Sequence, residues 1–145
     1  MKKTHVLLID DQRDLLAAVQ ELLETHGMEV LAGSSCADAE RLWKTSRPDL
    51  AILDYLLPDG NAISLIQKFK DSDPAVPIIV LTGHGTIERA VEAVKTGAEN
   101  LLPKPVNPSV LLDVIDEVLR TAVIARIALL KSPRGSAQRW IHSWA

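Results

Sequence analysis

Residues Leu50–Gly60 read LAILDYLLPDG: an apolar run of four residues ends on Asp54, and a proline and a glycine then interrupt the chain. A continuous apolar run of this length is typical of a strand buried on both faces of a parallel sheet. Ligands of such sheets bind beyond the carboxyl ends of the strands, which is where Asp54 would lie. We therefore take Asp54 as the centre of a candidate site.

Two further apolar runs end in the same way. Val6–Ile9 is followed by Asp10-Asp11, and Ile78–Leu81 is followed by Thr82-Gly83. Because the carboxyl ends of parallel strands meet at one edge of a sheet, we expect three carboxylates and a hydroxyl to gather there. Asp54 is expected in the middle of this group.

Strand-like and helix-like segments alternate five times along the chain. The short connections between them predict an α/β fold with a doubly wound, five-stranded parallel sheet and five helices. Pro103 lies within or just after the fifth strand, which predicts that this strand is at an edge of the sheet. The helix that Thr86 opens is predicted to turn its apolar side inward: Ile87, Ala90, Val91 and Val94.

The last helix begins at Asn107 and Pro108, a natural cap and first position, and continues beyond the expected length of the sheet. Residues Val123–Leu130 extend it with a single charge, and this overhang amounts to about three turns. Because this overhang is so apolar, we expect it to pack on a second copy of the chain and form a homodimer. We therefore predict a domain of residues 1–120 and, in residues 121–145, an extension of the last helix with a basic tail or linker. The alternative is a chain that ends inside a linker.

Length and composition limit the possible classes of protein. A chain of 145 residues, 47% of them apolar, fits one domain with an aliphatic core. No apolar run reaches the roughly 18 residues of a membrane span, and no secretory signal is recognisable. A single cysteine, Cys36, excludes an internal disulfide and is ordinary in the cytoplasm. We expect a cytoplasmic protein that does not contact a membrane.

The charge is distributed unevenly. Residues 1–117 carry 11 basic and 19 acidic side chains, whereas residues 118–145 carry five basic and no acidic ones. A basic end can contact nucleic acid, but it is more often a solvated tail, and no helix-turn-helix pattern accompanies it. We therefore expect no direct binding of nucleic acid by this chain.

Three clustered carboxylates need a cation, because unit charges about 4 Å apart repel by roughly 4 kcal/mol at an effective dielectric of 20. Asp10, Asp11 and Asp54 offer only oxygen ligands, which favour a hard ion such as Mg²⁺. Lys104, after the fifth strand, adds a positive charge, and Thr82 adds a hydroxyl. This set of groups around one carboxylate suits phosphoryl transfer. Since no glycine-rich phosphate loop precedes a helix, we expect the domain to accept a phosphoryl group and not to take it from ATP.

Asp10-Asp11 after the first strand, Asp54 after the third, Thr82-Gly83 after the fourth and Lys104-Pro105 after the fifth resemble the receiver (CheY-like) domain of two-component response regulators. The resemblance covers roughly residues 4–120. The segments LTGHGT (residues 81–86) and GAENLLPKP (residues 97–105) are most similar to receivers of the NtrC enhancer-binding class. The resemblance implies a flavodoxin-like sheet with strand order 2-1-3-4-5.

The resemblance also implies roles for the acidic residues. Asp54 would accept the phosphoryl group from a histidine kinase or a phosphotransfer protein. Asp11, Asp54 and the backbone carbonyl of Leu56 would hold Mg²⁺, and Asp10 would act mainly through water.

The remaining matched residues would form the switch. Lys104 would bind the phosphoryl oxygens, Thr82 would move in to bond one of them, and the bond between Lys104 and Pro105 would be cis. These new bonds would pull the ends of the fourth and fifth strands inward. They would bias the face made by the helix of residues 86–96, Leu101 and the last helix, and so control dimerisation or an output partner.

Two positions depart from the family's common pattern. Many receivers carry Tyr or Phe three residues before the lysine, where this chain has Leu101, so coupling through backbone and helix shifts is expected instead of an aromatic rotamer. Leu56, two residues after Asp54, cannot orient an attacking water, which predicts slow self-dephosphorylation. His84, two residues after Thr82, could do so, although a loop histidine is more often only solvated.

The chain is thus predicted to be a phosphoacceptor switch that assists only its own phosphorylation and dephosphorylation, and not an enzyme with an external substrate. A second possibility is a receiver-fold scaffold whose output is constitutive association through the apolar overhang. A third, a haloacid-dehalogenase-like phosphatase, requires Asp-x-Asp after the first strand, and Asp10-Asp11-Gln12 does not fit that pattern.

Overall fold

The stretch that ends on Asp54 is a strand buried at every position, as the centre of a parallel sheet requires. The computed structural model describes residues 2–83 and 86–131, so the expectations for His84 and for the tail after Lys131 lie outside the described residues. The strands of the main sheet are β1 (His5–Ile9), β2 (Glu29–Gly33), β3 (Leu50–Asp54), β4 (Ile78–Thr82) and β5 (Asn100–Pro103). They are all parallel and lie in the order β2-β1-β3-β4-β5, which confirms the predicted fold class.

Five helices cover the sheet: α1 (Arg13–Thr25), α2 (Cys36–Ser46), α3 (Ala62–Ser72), α4 (Ile87–Thr96) and α5 (Pro108–Leu130). Four of them begin after a side chain that accepts a hydrogen bond from a backbone N–H of the first turn: Ser35, Asn61, Thr86 and Asn107. Gly27 and Gly97 follow α1 and α4 with φ values of +82° and +132°, a region that glycine enters without strain.

The core has two layers, one on each face of the sheet. Alternate residues of the strands pack on one side against α2, α3 and α4, where the rings of Trp43 and Phe69 stack with centroids 4.2 Å apart. The other set of alternate residues packs against α1 and α5. Because both faces are covered, β1, β3 and β4 are apolar almost throughout, and their ends are held together at one edge.

The prediction that the large apolar residues of α4 face inward is wrong. Ile87 and Val94 are 81% and 56% exposed, and Val91 is exposed as well. The buried residue of this helix is Ala93, with Arg89 and Ala90 half-buried on the same side. The small Ala93 side chain lets the helix lie close to its neighbours, and the larger apolar side chains are left facing solvent.

The last helix runs without a break to Leu130. The guanidinium of Arg126 donates two hydrogen bonds, of 3.1 and 2.7 Å, to the carboxylate of Asp73 after α3. Beyond Ala122, the last buried residue of α5, the helix carries exposed large apolar side chains: Val123, Ile124, Ile127 and Leu130. We call these four residues the α5 overhang. Among the described helices, none has the length and apolar character needed to cross a membrane.

Candidate functional site

The register of the strands brings the predicted side chains to one edge of the sheet. β1 and β3 are paired up to Ile9 and Leu53, so Asp10 and Asp54 follow side by side. β4 lies on the other side of β3 and ends on Thr82, whose side chain is buried. The register thus places two carboxylates and a hydroxyl around the end of the central strand.

The three aspartates form one cluster. One carboxylate oxygen from each of Asp10, Asp11 and Asp54 lies within 4.8 Å of the others. Asp10 and Asp54 are only 1% and 6% exposed, whereas Asp11 is exposed. Two of the three charges are therefore removed from bulk water. The protein interior screens their mutual repulsion less than water would.

Lys104 is the cation of this cluster. It follows β5, and its Nζ lies 2.8 Å from Asp10 Oδ2 and 3.1 Å from Asp54 Oδ2. It also donates a hydrogen bond of 3.1 Å to Gln12 Oε1. The backbone N–H of Gln12 in turn donates to Asp10 Oδ1 at 2.8 Å. One ammonium group thus serves a cluster of three carboxylates.

The electrostatic imbalance appears in the pKa of the site residues. The pKa of Asp54 is raised to about 6: burial raises it most, the charge of Asp10 also raises it, and Lys104 opposes both. For Lys104, burial lowers the pKa, but its close contacts with the carboxylates of Asp10 and Asp54 outweigh this effect and the net shift is upward. Lys104 is therefore fully charged at neutral pH, whereas the site disfavours the ionised form of Asp54.

The acidic cluster fits a divalent cation. Asp10 Oδ2 is buried, and within the described residues it faces the Lys104 ammonium but accepts no hydrogen bond of normal geometry. The available ligand atoms are all oxygens, which suits Mg²⁺, a hard ion that retains several waters. Leu56, whose backbone carbonyl was predicted as a further ligand, lines the same pocket.

The cluster opens into a pocket of about 240 Å³. Its lining consists of Asp11, Gln12, Asp54, Leu56, Thr82, Gly83, Arg89 and Lys104. Gln12 and Arg89 were not among the predicted site residues. Gln12 directly follows the acidic pair, and Arg89 lies in the first turn of the helix after Thr82. These positions in the sequence could have indicated that both residues line the pocket.

Tyr55 is a third residue beside the site that was not among the predicted site residues. It directly follows Asp54, it is buried, and its hydroxyl donates to Glu92 Oε1 of α4 at 3.3 Å. The predicted switch position Leu101 is half-buried and packs against the core layer of α2, α3 and α4. The bond between Lys104 and Pro105 is cis.

Residues 6–116 match the family model of the response regulator receiver domain. The chain belongs to this family. Receiver domains are the phosphoacceptors of two-component signalling, interact with histidine kinases and bind Mg²⁺ at an acidic pocket. The predicted function as a phosphoacceptor is therefore confirmed.

The relatives are named as transcriptional regulators. The phosphoglycerate transport system transcriptional regulatory protein PgtA of Salmonella typhimurium is 38% identical over 123 residues, 83% of this chain and 30% of the relative. The C4-dicarboxylate transport transcriptional regulatory protein DctD of Rhizobium meliloti is 37% identical over 100 residues, 69% of this chain and 22% of the relative. The receiver chain thus spans less than a third of the length of these two relatives.

Solved structures show the same likeness. A response regulator receiver domain protein from Methanospirillum hungatei has a TM-score of 0.82 and 28% identity, over 86% of this chain and 99% of that one. NtrX from Brucella abortus has a TM-score of 0.83 and 27% identity, over 90% of this chain and 30% of that one. These matches agree with the predicted likeness to receivers of the NtrC class.

Proposed function

We propose that Asp54 is the phosphoacceptor of this receiver and that its donor is a phosphohistidine of a kinase or phosphotransfer protein. A carboxylate oxygen of Asp54 attacks the phosphorus, the bond from phosphorus to the imidazole nitrogen breaks, and the imidazole leaves with the electron pair and takes up a proton. The product is an acyl phosphate on Asp54. The observation that carries the proposal is a nearly buried carboxylate that lines the pocket, with an ammonium group 3.1 Å away.

The other two carboxylates are less suited to the attack. Asp10 is more deeply buried than Asp54 and does not line the pocket, and its Oδ1 already accepts a hydrogen bond from Gln12. Asp11 is exposed, so bulk water solvates it. Asp54 alone combines access from the pocket with a position on the central strand.

Mg²⁺ belongs to the same proposal. Asp11, Asp54 and the backbone carbonyl of Leu56 are its direct ligands, and Asp10 contributes mainly through water. When bound, the ion supplies positive charge beside the phosphoryl oxygens. The excess of negative charge supports this assignment, because among the described residues Lys104 is the one basic side chain that forms ion pairs with the two buried carboxylates.

Lys104 and Thr82 bind the phosphoryl oxygens after transfer. Lys104 now divides its contacts among Asp10, Asp54 and Gln12, and an acyl phosphate of about −2 charge with three acceptor oxygens is a stronger partner than any of these. The hydroxyl of Thr82 moves toward the same group. Both movements draw the ends of β4 and β5 inward.

The output in this proposal is a change in association. Residues 1–120 form the receiver, and residues 121–145 comprise the extension of the last helix and a basic tail or linker. The four exposed apolar side chains of the α5 overhang support a homodimer through the last helix. The chain assists only its own phosphorylation and dephosphorylation, the apolar side chain of Leu56 makes the latter slow, and the protein acts in the cytoplasm.

The same α5 overhang also favours the alternative of a scaffold that associates constitutively. In that case the wild type and Asp54→Asn would dimerise equally, with or without a phosphoryl analogue. A dimer that strengthens only when the analogue is bound at Asp54 supports the switch.

Intact-protein mass spectrometry after incubation with acetyl phosphate and Mg²⁺ tests the acceptor. The wild type should gain the mass of one phosphoryl group, and Asp54→Asn should gain none. Asp113→Asn is the matched control, because it changes an exposed carboxylate of α5 outside the cluster and should react like the wild type. Phosphorylation of Asp54→Asn at the wild-type rate would contradict the assignment.

A further inference from the structure

Arg89 is a basic side chain of the phosphoacceptor pocket that the proposed mechanism leaves without a role. It lies in the first turn of α4 and lines the pocket together with Asp54, Thr82 and Lys104. Its guanidinium carbon lies 5.1 Å from the centre of the Tyr55 ring. Arg89 therefore connects the pocket with the residue that directly follows Asp54.

Tyr55 forms hydrogen bonds with both β4 and α4. Its backbone N–H donates to the carbonyl of Leu81 in β4 at 2.8 Å, and its hydroxyl donates to Glu92 of α4. Burial, and next the charge of Glu92, raise the pKa of Tyr55, so the hydroxyl remains a donor at neutral pH. Arg89 over the ring and Glu92 at the hydroxyl are three residues apart on α4, and together they fix this helix to the end of β3.

Phosphorylation changes the balance of partners for Arg89. It replaces one carboxylate charge by about two negative charges and adds three strong acceptor oxygens. Lys104 is already shared among Asp10, Asp54 and Gln12. A planar guanidinium matches phosphate oxygens with two parallel charge-assisted hydrogen bonds, whereas its contact with the buried Tyr55 ring is a cation–π contact at 5.1 Å without such bonds.

We propose that Arg89 is a second basic side chain that binds the phosphoryl group: it leaves the ring of Tyr55 and binds the phosphoryl oxygens on Asp54, drawing the first turn of α4 toward the pocket. The inference rests on the proposed role of Asp54. It gives α4 a direct link to the phosphoryl group that does not need an aromatic residue at Leu101. The movement would reorient the exposed apolar side of α4, which carries Ile87, Val91 and Val94.

The first test is the affinity for beryllofluoride, an analogue of the phosphoryl group, measured by ¹⁹F NMR titration in the presence of Mg²⁺. Arg89→Met keeps most of the apolar stem and removes the charge, and we expect about tenfold weaker binding, the usual effect of losing one hydrogen bond to a charged group. Lys95→Met removes a positive charge from the outer side of the same helix and should bind within about twofold of the wild type, since Lys95 does not line the pocket. Equal affinity of Arg89→Met and the wild type would overturn the inference, as would an equal loss in both variants.

The second test follows Tyr55, whose ring signals are easily recognised in NMR spectra because it is the only tyrosine of the chain. Beryllofluoride should shift these ring signals in the wild type, because the guanidinium leaves the ring face, and should shift them much less in Arg89→Met. A shift of the same size in both proteins would contradict the proposed movement of Arg89.

The two proposals fail in different ways. If the wild type binds no beryllofluoride, or if Asp54→Asn binds it equally well, the role of Asp54 is wrong, and the role of Arg89 falls with it. If the wild type binds in a manner that depends on Asp54 while Arg89→Met is unaffected, only the role of Arg89 is wrong.

Discussion

At the scale of single residues, the site is shaped by an excess of negative charge. Asp10 and Asp54 are nearly buried, Asp11 lies beside them, and Lys104 is the only basic side chain among the described residues with an ion pair to the cluster. Fixed charges that repel one another reduce the stability of the folded state and increase its affinity for cations. The same arrangement therefore predicts a metal-dependent stability.

Asp54→Asn should stabilise the metal-free protein by about 1–2 kcal/mol, roughly one carboxylate repulsion after the attraction of Lys104 is subtracted. Mg²⁺ should raise the unfolding temperature of the wild type clearly and that of the variant much less. Thermal unfolding with EDTA and with Mg²⁺ measures both effects. Asp113→Asn, an exposed change on α5, should respond to Mg²⁺ like the wild type. An Asp54→Asn protein that is less stable than the wild type in EDTA would contradict the electrostatic argument.

At the scale of elements, a side chain of the loop after β3 holds the first turn of α2. The carboxylate of Asp59 accepts hydrogen bonds from the backbone N–H groups of Cys36 and Ala37, at 2.8 and 3.0 Å. These bonds, from Cys36 first, hold the pKa of Asp59 below its usual value. Asp59, which is distant from α2 in the sequence, thus supplies hydrogen-bond acceptors for backbone N–H groups in the first turn of this helix.

Asp59→Asn should lower the unfolding temperature at neutral pH. Because the folded-state pKa is depressed, the contribution of Asp59 is present above its ordinary pKa of 3.8 and is lost as the pH falls through the lower folded value. The difference from the wild type should therefore shrink at acidic pH. Thermal unfolding between pH 3 and pH 7 checks this, with Glu117→Gln, an exposed change on α5, as the control. A difference that is independent of pH would mean that charge is not the cause.

The orientation of α4 gives another prediction at this scale. Val94→Ser should change the free energy of unfolding by less than about 0.5 kcal/mol, because the side chain faces solvent. Ala93→Leu, one position away, should cost about 1–3 kcal/mol, because it adds volume to a buried contact. Urea unfolding measures both values. A larger loss for Val94→Ser than for Ala93→Leu would restore the orientation expected from the sequence.

At the scale of the whole molecule, the proposed homodimer would form through the α5 overhang. Val123, Ile127 and Leu130 recur at spacings of four and three residues on one side of the helix, as in a coiled-coil seam. The ion pair between Arg126 and Asp73 holds the start of this segment against the domain. The direction in which the overhang leaves the domain is therefore defined by the fold.

Ile127→Glu should weaken the dimer strongly, because it would bury an unpaired charge in the seam. Ala128→Glu places the same charge on a neighbouring exposed position outside the seam and should dimerise nearly like the wild type. Analytical ultracentrifugation over a range of concentrations, with and without beryllofluoride, measures the association. Equal behaviour of the two variants would show that α5 is not the interface.

Much of this protein could be predicted from local sequence. The apolar runs before Asp10, Asp54 and Thr82 predict buried parallel strands, and parallel strands bring their carboxyl ends to one edge, so the cluster follows from topology without coordinates. Caps such as Ser35 and Asn107 fix helix starts through bonds within a few residues. These features depend on interactions that are close in sequence or common to all parallel sheets.

The tertiary structure alone decided which side of α4 is covered and which side chains from separate elements meet at the pocket. Helical periodicity shows that Ile87, Val91 and Val94 share one side, but it does not reveal that the neighbouring elements cover the side of Ala93 instead. In the same way, Tyr55, Arg89 and Glu92 become neighbours only when α4 packs against the end of β3. Such contacts depend on how elements far apart in the sequence pack. The side of a helix that becomes covered is decided by the elements beside it and not by its own residues alone.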